Sequence, residues 1–137
     1  MRVALYYGRK KDNPSSKLFD WLVCWWTNSP YSHCELVIHD ICYSSSARDG
    51  GVRAKKIDLD SGHWNVFEIT GDKQAALSWF KDHDGDKYDV AGLFGFVLPV
   101  KTNNRSRWFC SEACAAALQI PFPWHFSPDD LHKHLTQ

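Results

Sequence analysis

The chain has 137 residues, of which 44% are hydrophobic and 23% are charged. This composition is typical of one globular domain and unlike that of disordered or fibrous proteins. Sixteen basic and sixteen acidic side chains cancel, so no net charge draws the protein to nucleic acid or to an anionic membrane. We therefore expect a single domain over residues 1–137, without a nucleic-acid partner.

The cysteines and the N-terminal stretch indicate the cellular compartment of the protein. Five cysteines at irregular spacing, and a start that turns charged before a signal-peptide core is complete, predict reduced thiols in a cytoplasmic protein. No apolar run reaches the roughly 20 residues that a membrane-spanning helix needs. The longest, at 90–100, contains two glycines and a proline. We expect no integral membrane segment, and no pattern in the chain indicates an oligomeric state.

The first part of the chain predicts one helix among short strands. β-Branched and aromatic residues at 2–8 are typical of a strand, and apolar residues at helical spacing predict an amphipathic helix from Lys17 to about Thr27. A tight turn at His39–Asp40 and a pair of glycines at 50–51 then separate three further strands. These strands are expected at 32–40, 41–46 and 51–59.

The second part of the chain adds helices. A strand at 63–70 precedes a helix from near Asp72 to Lys81, and a short apolar helix is expected at 89–98. An alanine-rich stretch predicts a helix that begins at Cys110 and ends before the next proline, and a short terminal helix begins at Ser127. Together these elements predict an α+β fold with a central antiparallel sheet of about four to six strands.

Cys110 is the first candidate for chemistry, because a helix N-terminus lowers the pKa of a thiol through its unpaired N–H groups and the positive end of the helix dipole. The same first turn offers backbone N–H donors to an oxyanion. One location therefore offers both activation of a nucleophile and stabilisation of a transition state. The alternative is a cysteine that only fills the core, as most helix-start cysteines do.

His33 is the candidate base. On a strand, alternate side chains share a face, so His33 and Glu35 lie side by side while Cys34 points the other way. A neighbouring carboxylate can orient an imidazole and stabilise its protonated form. Two alternatives stay open: a histidine bonded to a backbone carbonyl, and a Glu35 engaged in a salt bridge with an arginine, namely Arg48, Arg53 or Arg107.

Five sequence blocks stand out along the chain: YSHCELVI at 31–38, RDGGVR at 48–53, GDKYD at 85–89, WFCSEACAAAL at 108–118 and SPDDL at 127–131. In order and spacing they resemble the circularly permuted branch of the NlpC-type papain-like cysteine peptidase and amidase superfamily. That branch includes lecithin-retinol acyltransferase-like proteins and many bacterial and phage hydrolases. In it the strand with SH comes first and the helix with CSE comes late.

The resemblance implies a papain-like antiparallel sheet packed against helices, with Cys110 as nucleophile and His33 as base. In the superfamily a third polar residue on the following strand orients the histidine, but here that stretch holds serines. The orienting residue is therefore Glu35, by chemistry, or a serine, by distance from His33, namely Ser44 or Ser45. The expected substrate-binding residues are Tyr31, Trp108 and Ser111.

The resemblance further implies a thiol hydrolase that forms an acyl-enzyme and needs no cofactor. The first choice of reaction is hydrolysis of an amide bond in a peptidoglycan stem peptide, so the expected partner is a small-molecule, peptide or acyl substrate. Two alternatives remain: a lipid or acyl-thioester hydrolase or acyltransferase, and a non-catalytic phage structural or host-interaction protein with the same fold. Small phage and prophage members are the most similar, which implies association with a phage or virion as an alternative to a cytoplasmic location.

Two possible metal sites are rejected from the sequence. The aspartates at 82–89 resemble a calcium loop, but the glycine comes too early and no Glu occupies the twelfth position. Cys110 and Cys114 share a helix face near His33, but no CxxC pair supports zinc. We expect no metal.

Overall fold

The computed structural model of the chain describes residues 1–7, 24, 28–89 and 106–137, and the architecture below is that of these residues. They form a mostly antiparallel seven-stranded sheet with three α-helices. The α+β prediction is therefore confirmed. The helices expected at 17–27 and 89–98 fall outside the described residues, apart from Cys24 and Asp89. No described helix is long and apolar enough to cross a membrane.

The sheet has the order β5-β1-β2-β3-β4-β6-β7, in which only β6 and β7 are parallel neighbours. Its strands are β1 (Arg2–Tyr7), β2 (Tyr31–Ile38), β3 (Ile41–Ser46), β4 (Gly51–Lys55), β5 (Trp64–Glu68), β6 (Lys87–Tyr88) and β7 (Arg107–Trp108). The expected number of strands was too low because β6 and β7 have two residues each. Strands this short leave no alternating pattern in the sequence.

Two turns set the register of the central strands. His39 and Asp40 both have positive φ, 50° and 61°, so the β2–β3 hairpin closes tightly with Ile38 opposite Ile41. Gly51 has a φ of 153°, and a Cβ there would lie 1.9 Å from the carbonyl oxygen of Asp86. Only glycine allows β4 to approach the turn before β6 this closely.

β4 is shorter than the predicted strand at 51–59. It ends at Lys55, which pairs with Cys42 one residue from the start of β3. Only Ile41 of β3 lies beyond this pair, so β3 is too short to carry the ladder to residue 59.

The helices lie on one face of the sheet. They are α1 (Lys73–Asp82), α2 (Cys110–Ala117) and α3 (Pro128–Thr136), with a 3₁₀ helix at Pro123–His125. Asp72 caps α1, and Ser127 with Asp130 forms a capping box at α3. α2 begins at Cys110 as predicted but ends at Ala117, before the proline, because Gln119 turns to positive φ.

Both faces of β2 are covered. Cys34, Leu36 and Ile38 join the main core with the helices, whereas Val37 packs with Ala4 and Cys42 on the other face. Side chains on both faces of β2 are therefore nearly all buried, and that of Glu35 is fully buried. A carboxylate in this position must be neutralised by close partners, because an unpaired buried charge is very costly.

The strands β2 and β3 separate toward the N-terminal end of β2. Their ladder runs only from Leu36–Tyr43 to Ile38–Ile41. Beyond it, the hydroxyl of Ser44 donates to the carbonyl of Cys34 at 2.7 Å, and the hydroxyl of Ser45 donates to the carbonyl of Trp108 at 2.7 Å. The segment leading into α2 therefore lies against the place where the two strands part.

Candidate active site

β2 presents a histidine and a carboxylate side by side. His33 Nε2 and Glu35 Oε1 are 2.7 Å apart, as the alternation of the strand indicated. The Glu35 side chain has no exposed surface, while the His33 side chain is 20% exposed. The imidazole therefore lies at the edge of the buried region, with its carboxylate partner beneath it.

Arg53 of β4 binds the same carboxylate through both terminal nitrogens of its guanidinium group. Its Nη1 donates to Oε2 of Glu35 at 2.7 Å and its Nη2 donates to Oε1 at 2.5 Å. Its Nε donates to Asp49 at 2.6 Å, and Lys55 donates to that same Asp49 oxygen at 2.7 Å. The two roles weighed for Glu35, histidine partner and salt-bridge partner, thus coexist, with Oε1 shared between the two cations.

Cys110 heads α2 and is fully buried, and its thiol lies near enough to the His33 ring for each group to shift the pKa of the other. The Cys34 side chain and backbone also lower the pKa of the Cys110 thiol. The Cys34 thiol lies 3.9 Å from that of Cys114, and burial raises the Cys34 pKa well above its ordinary value. Cys34 therefore remains a protonated thiol, and it donates its hydrogen to the Cys114 sulfur.

The charges of the site follow from these contacts. Burial alone would raise the pKa of Cys110, but the hydrogen bond of Cys34 and the charge and hydrogen bond of His33 lower it to about 5. Burial alone would lower the pKa of His33, but Cys110 and Glu35 raise it to about 10. The pKa of Glu35 is lowered, because hydrogen bonds from Arg53 and His33 outweigh its burial. Near neutral pH the site therefore holds a thiolate, an imidazolium and a carboxylate.

Ser44 and Ser45, the alternative orienting residues, are placed differently. Both are fully buried, and their hydroxyls donate to the backbone carbonyls of Cys34 and Trp108. These bonds satisfy the backbone where β2 and β3 part. The nitrogen of His33 that an orienting residue would hold instead faces Glu35.

The three expected substrate-binding residues all have protein partners. The Tyr31 hydroxyl accepts from Asn65 at 2.9 Å, and Tyr31 itself is only 6% exposed. Trp108 donates its indole N–H to Asp86 at 3.0 Å, and the Ser111 hydroxyl donates to the carbonyl of Phe126 at 2.5 Å. None of the three lines the cleft described next.

A cleft of about 190 Å³ opens beside His33. Aromatic side chains form part of its wall, including Tyr6 and Trp64, whose rings meet edge to face with centroids 5.1 Å apart. Ser32 and Arg53 also line it, whereas Cys110 does not. The volume is below the ~300–1,000 Å³ of sites that enclose drug-sized ligands, so the cleft encloses only a residue-sized part of a larger molecule.

Sequence reasoning missed the interactions that depend on separate strands meeting. The sequence leaves three arginines open as partners of Glu35, and it places Cys34 correctly on the opposite face from His33 without indicating its effect on Cys110. The capping Glu112 was also missed. It accepts from the Phe109 N–H, and burial, with the charge of Asp89, raises its pKa to about 7. The motif S/T-x-x-E is a recognised signal for such a cap, but here Phe109 occupies the cap position.

The chemistry available to this arrangement is nucleophilic. An imidazolium lies between a thiolate and a buried carboxylate, and the N-terminal N–H groups of α2 adjoin the sulfur. Among the described residues, no three His, Cys, Asp or Glu side chains are grouped so as to hold a metal ion. Comparisons with protein-family models, with curated proteins and with solved structures found no match for this chain.

Proposed function

We propose that the protein is a cysteine-dependent hydrolase that cleaves an amide bond through an acyl-enzyme on Cys110. The observation that carries the proposal is a helix-head thiol beside His33, whose Nε2 lies 2.7 Å from Glu35, a carboxylate with no exposed surface. This is the relation of nucleophile, base and orienting group that nucleophilic catalysis requires.

The reaction has two steps. The Cys110 thiolate attacks the substrate carbonyl, and the resulting oxyanion accepts hydrogen bonds from the first turn of α2. His33 gives its proton to the leaving amine as the C–N bond breaks, which leaves a thioester and a neutral imidazole. His33 then takes a proton from water while the hydroxide attacks the thioester. Release of the acid restores the thiolate and the imidazolium.

We propose a papain-like arrangement with permuted chain order as the fold that supports this chemistry. Its basis is the antiparallel sheet, the histidine on β2 and the cysteine helix late in the chain. For the substrate, our first choice is a peptide amide such as that of a peptidoglycan stem. The cleft beside His33 would take one residue of this peptide, with an aromatic wall against its apolar part.

One observation favours a second candidate, a non-catalytic protein with this fold. The Cys110 sulfur belongs to a residue with no exposed surface, and Cys110 does not line the cleft. A hydrolase must therefore displace the groups over the sulfur when it binds substrate, whereas a binding or structural protein need not. Reactivity of the thiol in the folded protein separates the two.

Alkylation by iodoacetamide near pH 6.5 tests the proposal. We expect preferential modification of Cys110 among the five cysteines, and its loss in His33→Ala, because the pKa of Cys110 is lowered to about 5 and His33 contributes to that shift. Muropeptides and acyl-ester or acyl-thioester probes then identify the substrate class. Equal labelling of all five thiols, with no product from any probe, would favour the non-catalytic candidate.

A further inference from the structure

The strand that carries His33 contains a β-bulge immediately before it. In the pairing of β1 with β2, Tyr6 lies opposite His33 and Tyr7 lies opposite Tyr31, which leaves Ser32 without an opposing residue. A bulge leaves one residue out of the ladder and turns its side chain away from the regular direction. Bulges of this kind are common next to active sites, where they aim a side chain.

The hydroxyl of this bulge residue lacks a partner. Ser32 is 3% exposed, and among the described residues its Oγ is one of only two buried side-chain polar atoms without a hydrogen bond. Leaving a buried hydroxyl unsatisfied costs its lost hydration, so native proteins rarely do so without a reason. Five other buried serines have hydroxyl hydrogen bonds: Ser29, Ser44, Ser45, Ser111 and Ser127.

The position of Ser32 connects these two observations to the site. It is the neighbour of His33 in the chain, and both residues line the same cleft. A substrate carbonyl attacked by Cys110 must lie within reach of the His33 ring, because that ring supplies the proton for the leaving group. An oxygen at this place would meet the one cleft-lining hydroxyl that the described protein leaves unsatisfied.

We propose that Ser32 donates a hydrogen bond from its hydroxyl to the acyl oxygen of the substrate, together with the N–H groups of the first turn of α2. This inference rests on the proposed function and extends it to the group that recognises the substrate carbonyl. As negative charge develops on that oxygen, the hydrogen bond strengthens, so the hydroxyl stabilises the transition state more than the bound substrate.

Acylation of the protein by p-nitrophenyl acetate tests the proposal, with alkylation by iodoacetamide as the comparison. Acylation passes through an oxyanion, whereas alkylation of the same sulfur does not. We expect Ser32→Ala to slow the burst of nitrophenolate about 10²-fold, as removal of one oxyanion donor does elsewhere. The rate of Cys110 alkylation should change less than about twofold, because the variant leaves the thiolate intact.

The urea midpoint of unfolding distinguishes this role from a purely structural one. If Ser32 only stabilised the fold, Ser32→Ala would lower the midpoint. Ser32→Ala removes an unsatisfied buried hydroxyl, so its urea midpoint should equal or exceed that of the wild type. Ser127→Ala is the matched control, because its hydroxyl bonds to Asp130 in the cap of α3, away from the site. That variant should lose stability and keep the acylation rate.

The possible outcomes separate the two proposals. Acylation unchanged in Ser32→Ala, or acylation and alkylation slowed equally, would overturn the role of Ser32 and leave the hydrolase intact. A lowered urea midpoint with normal acylation would also overturn it, since the hydroxyl would then serve packing or an internal water. If Cys110 of the wild type is neither alkylated preferentially nor acylated, the hydrolase proposal itself fails.

Discussion

The ion pair between Cys110 and His33 makes folding stability depend on pH in a defined way. In the folded protein the pKa of Cys110 is lowered to about 5 and that of His33 is raised to about 10. In the unfolded chain the ordinary values are 9.0 and 6.5. Between pH 5 and pH 6.5 the unfolded pair therefore binds two protons and the folded pair binds one.

Stability rises with pH wherever the unfolded state binds more protons, by about 1.4 kcal/mol per pH unit for each proton. Over the interval from pH 5 to 6.5 the pair thus adds about 2 kcal/mol to the free energy of unfolding. From pH 6.5 to 9 both states hold one proton and the contribution is constant. Above pH 9 the unfolded thiol ionises while the folded imidazolium keeps its proton to about pH 10, so the contribution falls again.

Urea unfolding of wild type and Cys110→Ser at pH 5, 5.75 and 6.5 measures this contribution as a difference. The serine variant has no thiol to ionise, and we expect Glu35, 2.7 Å from the ring, to keep its His33 protonated over most of this range. Glu112, whose pKa burial raises to about 7, titrates in both proteins and cancels. We expect the wild type to gain about 2 kcal/mol relative to the variant across the interval. If the free energies of unfolding of the two proteins changed in parallel with pH, a thiolate at Cys110 would be refuted.

Three substitutions test other parts of the structure. Glu35→Gln removes the buried carboxylate from the guanidinium and imidazole that share it. We expect a loss of about 3–5 kcal/mol in urea unfolding and an upward shift of the thiol alkylation midpoint by at least about one pH unit, with the exposed Glu68→Gln as an unaffected control. An unshifted midpoint would remove Glu35 from the site. Gly51→Ala places a Cβ 1.9 Å from a backbone oxygen, so it should cost more than about 3 kcal/mol, against about 1 kcal/mol for Gly50→Ala, which has open space but also a positive φ. Equal costs would contradict the close approach. Ser45→Ala should cost about 1–3 kcal/mol and leave the alkylation midpoint unchanged, and a shifted midpoint would restore it as an orienting residue.

The sequence could predict the features that depend on local pattern. Alternation along β2 placed His33 and Glu35 on one face, and the onset of an alanine-rich stretch located the head of α2 at Cys110. The positive φ values at His39 and Asp40 follow from the same kind of local signal. In each case the periodicity of one element, or the chemistry of one turn, decides the outcome.

Features that depend on how separate elements meet could not be predicted. Arg53 reaches Glu35 across β3, and which arginine does so is fixed by strand register. Cys34 points to the opposite face from His33, yet both contact Cys110, because β2 and β3 part where α2 begins. The bulge that sets Ser32 apart is equally invisible, since no residue type in YSHCELVI requires it.

The site balances its own charges, which explains how a carboxylate and a thiolate are accommodated where water is excluded. Along the chain of contacts the ionised groups alternate in sign: Lys55, Asp49, Arg53, Glu35, His33 and Cys110. Each inner charge lies beside one of opposite sign, and the six sum to zero. Removing Arg53, Glu35 or His33 leaves a net charge at the edge of the core, and this uncompensated charge destabilises the fold by more than the broken ion pair had stabilised it. The thiolate of Cys110 therefore owes its stability to the whole series as well as to His33, and substitutions within the series should not be additive.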